Sequence, residues 1–262
     1  MTSFATIHRR LRPYYPGIAS FMATAAIVLT ASAANAQDSD RVVLGVGAVV
    51  IPAYQGADKN RILPMPVIDI KKGWFVANLR NGIGIAPINT GMITVGASVV
   101  FIQGYRRRDV PVGIERLKDG VGARLFTNLR TGGFMTTIGV TKGISGGTEG
   151  AIADASISYP IPVSSKVSLT PAVGVTWADA KHNERYFGIT LAESVASGLP
   201  QFSTGSGFKD LSAGATAAYR LTTNITLTAT TTYTTLLGVV RNSPQIERKS
   251  APSGFLTASY RF

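Results

Sequence analysis

Hydrophobic and polar residues alternate along most of the chain beyond about residue 40. Residues 167–177 show this most strictly, with apolar side chains at one set of alternate positions and small or hydroxyl-bearing ones at the other. The two sets are Val167, Leu169, Val173, Val175 and Trp177, and Ser168, Thr170, Gly174 and Thr176. Side chains of a β-strand point alternately to its two faces, so such a segment predicts a strand with one apolar face.

The last ten residues, 253–262, carry the same pattern. One face of this segment would present Leu256, Ala258, Tyr260 and Phe262, and the other Phe255, Thr257, Ser259 and Arg261. The printed sequence ends on the aromatic residue of the apolar face. We therefore expect this segment, with Tyr260 and Phe262, to be the strand that closes a sheet.

Twelve strand segments can be placed, and their connections fall into two groups. Short turns are expected at 71–73, 89–91, 131–133, 160–165 and 222–224, and longer loops at 51–60, 105–118, 145–149, 179–207 and 238–252. Counting back from the last strand puts all the short turns on one side and all the longer loops on the other. Outer-membrane barrels have an even strand number, short periplasmic turns and longer outer loops, so the pattern predicts an antiparallel transmembrane β-barrel.

The count of twelve depends on a hairpin at Asn81-Gly82, a dipeptide typical of tight turns between strands. The two strands around it are shorter than the roughly 9–11 residues that cross a bilayer. If residues 74–86 form one strand, the count becomes odd, and a first strand that does not span would give ten. Pro64 and Pro66 indicate that the second strand is bulged or lies near a rim.

The N-terminal residues resemble a secretory signal peptide. Three arginines at 9, 10 and 12 precede an apolar stretch over residues 18–33, and Ala34-Asn35-Ala36 follows. A charged start, an apolar middle and a small-residue exit predict cleavage after Ala36. An uncleaved membrane anchor is the alternative. The predicted domains are thus a signal peptide over 1–36 and a barrel over 37–262.

Composition agrees with export to a membrane. The chain has no cysteine, is 45% hydrophobic and has a mean hydropathy of +0.20. No second apolar stretch of 18 residues could form a membrane helix, whereas alternating strands in lipid would accommodate this apolar surface. A soluble β-sandwich is the competing fold. The residues expected in an aromatic belt at the bilayer interface are Tyr159, Trp177, Tyr219 and Tyr260.

The chain is basic, with a formal net charge of +12. Positive charge predicts anionic neighbours, and in the outer membrane these would be lipids and lipopolysaccharide rather than nucleic acid. Alternatively, the cations only solvate loops and the lumen. The arginines predicted to face the lumen are Arg124, Arg130, Arg220 and Arg261.

Little in the sequence indicates catalysis. His182 is the one histidine after the predicted cleavage site, and Glu184, Glu193, Ser194 and Ser197 lie in the same predicted loop. A nucleophile, base and acid in one loop could form a hydrolytic site, but solvated loop residues of these types are common. We predict no enzyme activity, no cofactor and no metal site, since zinc-type ligand spacing is absent.

The second half of the sequence resembles the MipA/OmpV family of outer-membrane proteins. The residues that carry the resemblance in the long loop are Trp177, Tyr186, Phe187, Gly188, Ser197, Gly198, Leu199 and Pro200. Further matching stretches are 205–210, 236–238, 242–244 and the terminal 259–262. Upstream, residues 45–47, 52–56 and 64–66 resemble the beginning of that family.

This resemblance implies an outer-membrane barrel that acts as a scaffold. The family's namesake joins a lytic transglycosylase, which cleaves murein, to a penicillin-binding protein, which synthesises it. Other members are described as porin-like or adhesive, so a small-solute channel or a surface adhesin is the alternative. Twelve strands enclose a narrow lumen that side chains can fill.

Overall fold

The computed structural model of the protein describes residues 40–262. The predicted signal peptide, with its cleavage site after Ala36, lies outside the described residues. The described chain forms strands almost throughout, with two short α-helices in one loop and one 3-10 turn in another.

The strands follow one another along the chain as antiparallel neighbours. They are β1 (Arg41–Pro52), β2 (Asn60–Lys72), β3 (Phe75–Asn78), β4 (Gly82–Asn89), β5 (Ile93–Ile102), β6 (Gly120–Thr131), β7 (Phe134–Ser145), β8 (Ala151–Ser158), β9 (Ile161–Pro162), β10 (Val167–Ala178), β11 (Gly207–Arg220), β12 (Ile225–Leu236) and β13 (Ser250–Arg261). The two-residue β9 pairs with β10 as β8 does. It therefore continues β8 beyond Pro160, and the wall counts twelve strands.

The last strand closes the sheet into a barrel. Tyr260 of β13 lies opposite Leu44 of β1 on one side and Ile225 of β12 on the other. At the other junction, β10 pairs with β11 over the length of both strands. The predicted antiparallel twelve-strand barrel and the closing role of the C-terminal strand are both confirmed.

The alternating apolar and polar residues of the sequence point to the outer and inner faces of the barrel wall. On β11 the outward Leu211 is exposed, whereas the next side chain, Ser212, is buried inside the barrel. The hydroxyls of Thr216 and Thr230 lie 2.9 Å apart on the inner face. Apolar side chains on the outside and hydroxyls within are the arrangement of a barrel that crosses lipid.

The two kinds of connection lie at opposite ends. Short turns join β2 to β3, β4 to β5, β6 to β7, β9 to β10 and β11 to β12; we call this the short-turn end. The opposite, long-loop end carries 103–119, 179–206 and 237–249, apart from smaller connections. Helices α1 (Ala180–Phe187) and α2 (Leu191–Ser197) lie in the second of these loops, capped by Asp179 and Thr190. Within residues 40–262, no helix has the length and apolar character needed to cross a membrane.

The hairpin at Asn81-Gly82 exists, but its first strand is only four residues long. The Asn78 side chain accepts hydrogen bonds from the backbone N–H groups of Arg80 and Asn81, at 3.1 and 2.8 Å, and so turns the chain early. Gly82 has a φ of +78°, and a Cβ there would lie 2.1 Å from the carbonyl oxygen of Val99. The turn residues 79–81 consequently reach the middle of the lumen instead of the rim.

The short hairpin leaves part of β2 with an open edge. β3 pairs with β2 only from Asp69 to Lys72. The Val42 carbonyl accepts a hydrogen bond from the Phe262 N–H, so the even-numbered backbone groups of β1 face β13 and the odd-numbered ones face β2. By the same alternation, the even-numbered groups of β2 face away from β1, which directs the ring nitrogens of Pro64 and Pro66 to the open edge.

Candidate functional site

The long-loop end is closed by a cluster of buried side chains from several loops, which we call the loop plug. Its members are Ala53, Tyr54, Ala57, Tyr105, Val110, Ile114, Leu117, Tyr186, Phe187, Ile189, Leu236 and Val240. Tyr105 packs edge-on against Tyr186, with ring centroids 5.2 Å apart, and Phe187 is fully buried. Aromatic packing of this kind stabilises the cluster beyond the burial of its area alone.

Hydrogen bonds tie the plug loops to one another. The Tyr54 hydroxyl donates to the carbonyl oxygen of Gln245 at 2.6 Å, and the Gln245 amide donates to the carbonyl oxygen of Tyr186 at 2.6 Å. Ser243 donates to the Phe187 carbonyl oxygen at the same distance. Burial raises the pKa of the Tyr186 hydroxyl to about 12, so it stays protonated at neutral pH. Side-chain hydrogen bonds thus join three separate loops into one layer across the mouth.

Beneath the plug lies a buried ion pair formed by neighbours in sequence. Lys209 and Asp210 both point inward because a β-bulge interrupts the pairing of β10 with β11, where Thr176 pairs with Asp210 but Trp177 pairs with Phe208. The ammonium of Lys209 binds the Asp210 carboxylate and donates to Gln55 Oε1 at 2.7 Å. Gln55 in turn donates to Asp210 at 2.7 Å. Oδ2 of Asp210 thus accepts from both Lys209 and Gln55, so the two charges of the pair compensate each other on one side of the lumen.

The middle of the lumen holds two arginines and one carboxylate. Arg124 makes two hydrogen bonds to Asp154, at 2.5 and 3.0 Å, and donates to Thr141 at 3.0 Å. Arg80, at the tip of the β3–β4 turn, donates to Ser156 at 2.6 Å and lies 3.7 Å from Asp154. A two-bond guanidinium–carboxylate pair fixes geometry as well as charge.

Two internal cavities flank this cluster. The cavity toward the long-loop end has a volume of about 200 Å³, and the one toward the short-turn end about 140 Å³. Arg80 lines both of them, as does Leu79. The β3–β4 turn therefore separates the lumen into an upper and a lower chamber.

His182 lies at the border between the plug and the upper cavity. Its Nδ1 is 2.8 Å from the Thr148 hydroxyl, and burial, followed by the charge of Lys209, lowers the pKa of the imidazole to about 3, against the opposing influence of Asp210. The ring is neutral at physiological pH.

The serines and acids of the hypothetical hydrolytic loop have other partners. Ser194 and Ser197 donate to the carbonyl oxygens of Leu199 and Glu193, at 2.7 and 2.6 Å, and the Glu184 carboxylate accepts the Thr204 N–H. The structure thus does not assemble these residues around the imidazole. Among residues 40–262, no group of three metal-ligating side chains is found.

The predicted lumen arginines occupy two different settings. Arg124 is buried in the lumen cluster just described. Arg130 lines the lower cavity and is exposed, at the short-turn end. Arg220 and Arg261 are exposed at that same end.

The residues that carry the family resemblance belong mainly to the plug and its supports. Tyr186 and Phe187 are plug residues, and Leu199 packs against them. Gly188 ends α1 and donates to the Glu184 carbonyl oxygen, while Ser197 and Gly198 end α2, with Gly198 in the left-handed conformation. Trp177 lies at the β-bulge, and Pro200 is exposed.

Several residues at the centre of the molecule were not singled out from the sequence. The Asn81-Gly82 pattern predicts an ordinary hairpin around Arg80, and the alternation of β11 predicts Lys209 outside the barrel. One local signal was available for Arg124: a Cβ at Gly139, on the neighbouring strand, would lie 2.2 Å from its guanidinium. Glycine at that position makes room for a large inward side chain.

Comparison with known proteins identifies the family. The family model described as "MltA-interacting protein MipA" matches residues 44–262. YiaT of Escherichia coli (strain K12), whose name describes an outer membrane protein, is 29% identical over 115 residues, which are 44% of this chain and 46% of YiaT. The chain thus matches less than half the length of that relative.

Solved barrels align over most of the chain with low scores. The KdgM porin gives a TM-score of 0.38 at 8% identity, covering 85% of this chain and 97% of the porin. The Pseudomonas putida toluene transporter TodX gives 0.38 at 10%, covering 86% and 90%. The family assignment rests on the sequence match over residues 44–262: the chain belongs to the MipA family and is an outer-membrane β-barrel protein.

Proposed function

We propose that this protein is an outer-membrane scaffold that docks murein-processing enzymes, and that it does not act as an open channel. The observation that carries the proposal is the closed lumen. The loop plug covers one mouth, and the β3–β4 turn with the Arg80, Arg124 and Asp154 side chains crosses the middle. A barrel whose lumen is filled in this way is better suited to bind partners on its surface than to let solutes pass through it.

The family description supplies the class of partner. Its wording, MltA-interacting protein, names a lytic transglycosylase as the binding partner of the family's namesake. We extend this to the present chain, together with a penicillin-binding protein as the second partner. The chain then holds murein cleavage and synthesis together at the inner surface of the outer membrane.

The short-turn end is the docking surface we propose for these enzymes. Its connections are brief, but exposed cations surround it. The exposed cations of this rim are Lys72, Arg130, Lys166, Arg220 and Arg261. Short turns face the periplasm in outer-membrane barrels, so this basic rim would meet an acidic surface on a periplasmic enzyme.

Lipid and lipopolysaccharide are the surroundings we propose for the wall. Aromatic side chains lie on its outside near both ends: Tyr159, Tyr219 and Tyr260 at the short-turn end, and Trp177 with Phe208 at the other. Rings with a polar edge favour the interface between acyl chains and headgroups. The bilayer would thus sit between these two belts.

Co-purification from solubilised membranes tests the scaffold. The tagged protein is expected to retain a lytic transglycosylase and a penicillin-binding protein, and a K166E/R220E/R261E variant is expected to lose them. The matched control is R106E/R107E/R108E, which reverses three exposed charges at the long-loop end. If both variants retain equal amounts of the two enzymes, docking at the basic rim is contradicted. If neither enzyme co-purifies with the wild type or with either variant, the scaffold itself is contradicted.

Conductance across planar bilayers tests the channel alternative. The closed lumen predicts no steady current through the purified protein. A steady, salt-dependent current from the unaltered chain would favour a small-solute channel.

A further inference from the structure

Within residues 40–262, the side chains that line the two cavities include more cations than carboxylates. The cationic side chains that line the two cavities are Arg41, Lys71, Arg80, Arg124, Arg130 and Lys209, and the carboxylates are Asp69, Asp154 and Asp210. His182 contributes no charge at neutral pH. Arg130 is exposed at the short-turn end, whereas Arg80, Arg124 and Lys209 lie deeper in the lumen, where water screens their charges less than at an open surface.

Each of the three carboxylates already has a close cationic partner. Arg41 binds Asp69 through two hydrogen bonds, at 2.9 and 3.0 Å. Lys209 binds Asp210, and the two-bond pair described above engages Asp154. Each carboxylate therefore binds another cation more closely than it binds Arg80, whose ion pair with Asp154 is 3.7 Å long.

Arg80 shares its carboxylate partner, Asp154, with Arg124. Its hydrogen bond goes to the neutral hydroxyl of Ser156, and its Nε has no hydrogen-bond partner among residues 40–262. The side chain is 17% exposed and borders both cavities, although the Nε atom itself is buried. A guanidinium with unused donors is suited to bind a planar or tetrahedral oxyanion.

The cavities have the size of small ions and water rather than of large solutes. At about 200 and 140 Å³ they are below the roughly 300–1,000 Å³ of drug-sized ligand sites. The upper cavity lies beneath the loop plug. The lower cavity is lined by Arg41 and Arg130 at the short-turn end, so an anion that approaches from there meets cations along its way.

We propose that the lumen is a binding site for a small oxyanion, carboxylate or phosphate, held by the guanidinium of Arg80 and reached from the short-turn end. The anion supplies a negative charge beside Arg80, whose neighbour Asp154 is already bound by Arg124. This site does not depend on the scaffold, because it lies inside the wall and the docking surface lies on the rim.

Titration calorimetry on the folded, detergent-solubilised protein tests the site. Inorganic phosphate and acetate are titrated separately, at fixed chloride, to distinguish the two sources of oxyanion. Binding of either one is expected to weaken at least about tenfold in Arg80→Gln, the loss that follows from removing a charge-assisted contact. The matched control is Arg241→Gln, which removes an exposed arginine from the 3-10 turn at the opposite end.

A second variant tests the charge balance from the other direction. Asp154→Asn removes the carboxylate that competes for the same guanidiniums, so oxyanion affinity is expected to rise. The double variant R80Q/D154N is expected to lose this gain in oxyanion affinity. It also provides a second variant without Asp154 for the binding measurement if Asp154→Asn alone folds poorly. Unaltered heat-modifiable migration on gels confirms that each variant is folded.

The outcomes separate clearly. Binding that depends on Arg80 supports the site, and the ligand that binds identifies its source. Absence of binding by both phosphate and acetate overturns the proposal, as does equal affinity in wild type and Arg80→Gln. None of these results alters the co-purification experiment that tests the scaffold.

Discussion

Arg124 of β6 and Asp154 of β8 form a two-bond ion pair that spans the intervening strand β7. In the strand register Arg124 lies opposite Thr141 and Asp154 lies opposite Gly139, and the guanidinium of Arg124 reaches across Gly139 to the carboxylate. Because three strands contribute to this arrangement, it fixes their relative positions inside the barrel. It also joins the wall to the β3–β4 turn, since Arg124 donates to Asn81 at 3.3 Å.

Asp154→Ala is expected to destabilise the barrel. The substitution leaves two guanidiniums in the lumen without their carboxylate, which costs about 3 kcal/mol when one partner of a buried pair is removed. Urea unfolding of the protein in lipid vesicles measures the change.

Glu149→Ala is the control for that experiment. Glu149 pairs with Lys181 at 3.2 Å on the exposed surface of the long-loop end, where solvent screens the interaction. We expect no measurable change in unfolding. An equal effect of the two substitutions would show that the lumen pair does not stabilise the wall.

Phe187→Ala is expected to open the loop plug without unfolding the barrel. Phe187 is fully buried, and its truncation leaves a cavity that costs about 3–5 kcal/mol. Limited proteolysis is expected to cut within residues 179–206, whereas the wall stays heat-modifiable on gels. Leu191→Ala is the control, because Leu191 is exposed on α2; cleavage in that variant at the same rate would contradict a closing role for Phe187.

Acid is expected to loosen the plug through His182. The imidazole has a pKa of about 3 in the folded protein and 6.5 as the ordinary value, so the unfolded loop binds the proton more tightly. The plug therefore has its full stability with respect to His182 above about pH 6.5, and this stability decreases as the pH falls toward about 3. At pH 5 the loss is about 2 kcal/mol.

Hydrogen exchange of the α1 amides measures this dependence. Exchange is expected to quicken between pH 6.5 and pH 5, after correction for the intrinsic effect of pH on exchange. His182→Gln removes the titrating group and is expected to flatten the profile. A profile in that variant as steep as in wild type would assign the pH dependence to other groups.

Export is expected to remove residues 1–36. The intact mass of the protein from outer membranes should correspond to a chain that begins at Gln37. Ala34→Leu and Ala36→Leu place bulky side chains at the two small-residue positions, and both are expected to leave the precursor uncleaved. A wild-type protein that retains its first 36 residues would support the uncleaved anchor instead.

The barrel could be predicted from the sequence because its signal repeats in every strand. The alternation of apolar and polar residues along β11 predicts Leu211 outside and Ser212 inside. Asn81-Gly82 predicts the hairpin that makes the strand number even. Each of these features depends on neighbours in sequence. The sequence does not indicate the early turn at Asn78, because this turn depends on side-chain hydrogen bonds from Asn78 to the N–H groups of Arg80 and Asn81 that stop β3 after four residues.

The contents of the lumen were predictable only in part. Arg124 falls on the polar face of a regular strand, and its inward position follows from that. Lys209 points inward only because of the bulge opposite Trp177, which reverses its expected side. The plug joins Tyr54, Tyr105 and Tyr186 from positions far apart in sequence, and no local pattern indicates such an assembly.

Pro64 and Pro66 explain how the barrel can leave part of the β2 edge unpaired. An unpaired strand edge normally offers N–H and carbonyl groups on which another chain can add a strand. Along the open stretch of β2, Pro64 and Pro66 take two of the even-numbered positions and provide no N–H. A neighbouring barrel that drifts against this stretch in the crowded membrane finds an incomplete ladder, so the seam resists fusion of two walls into one sheet.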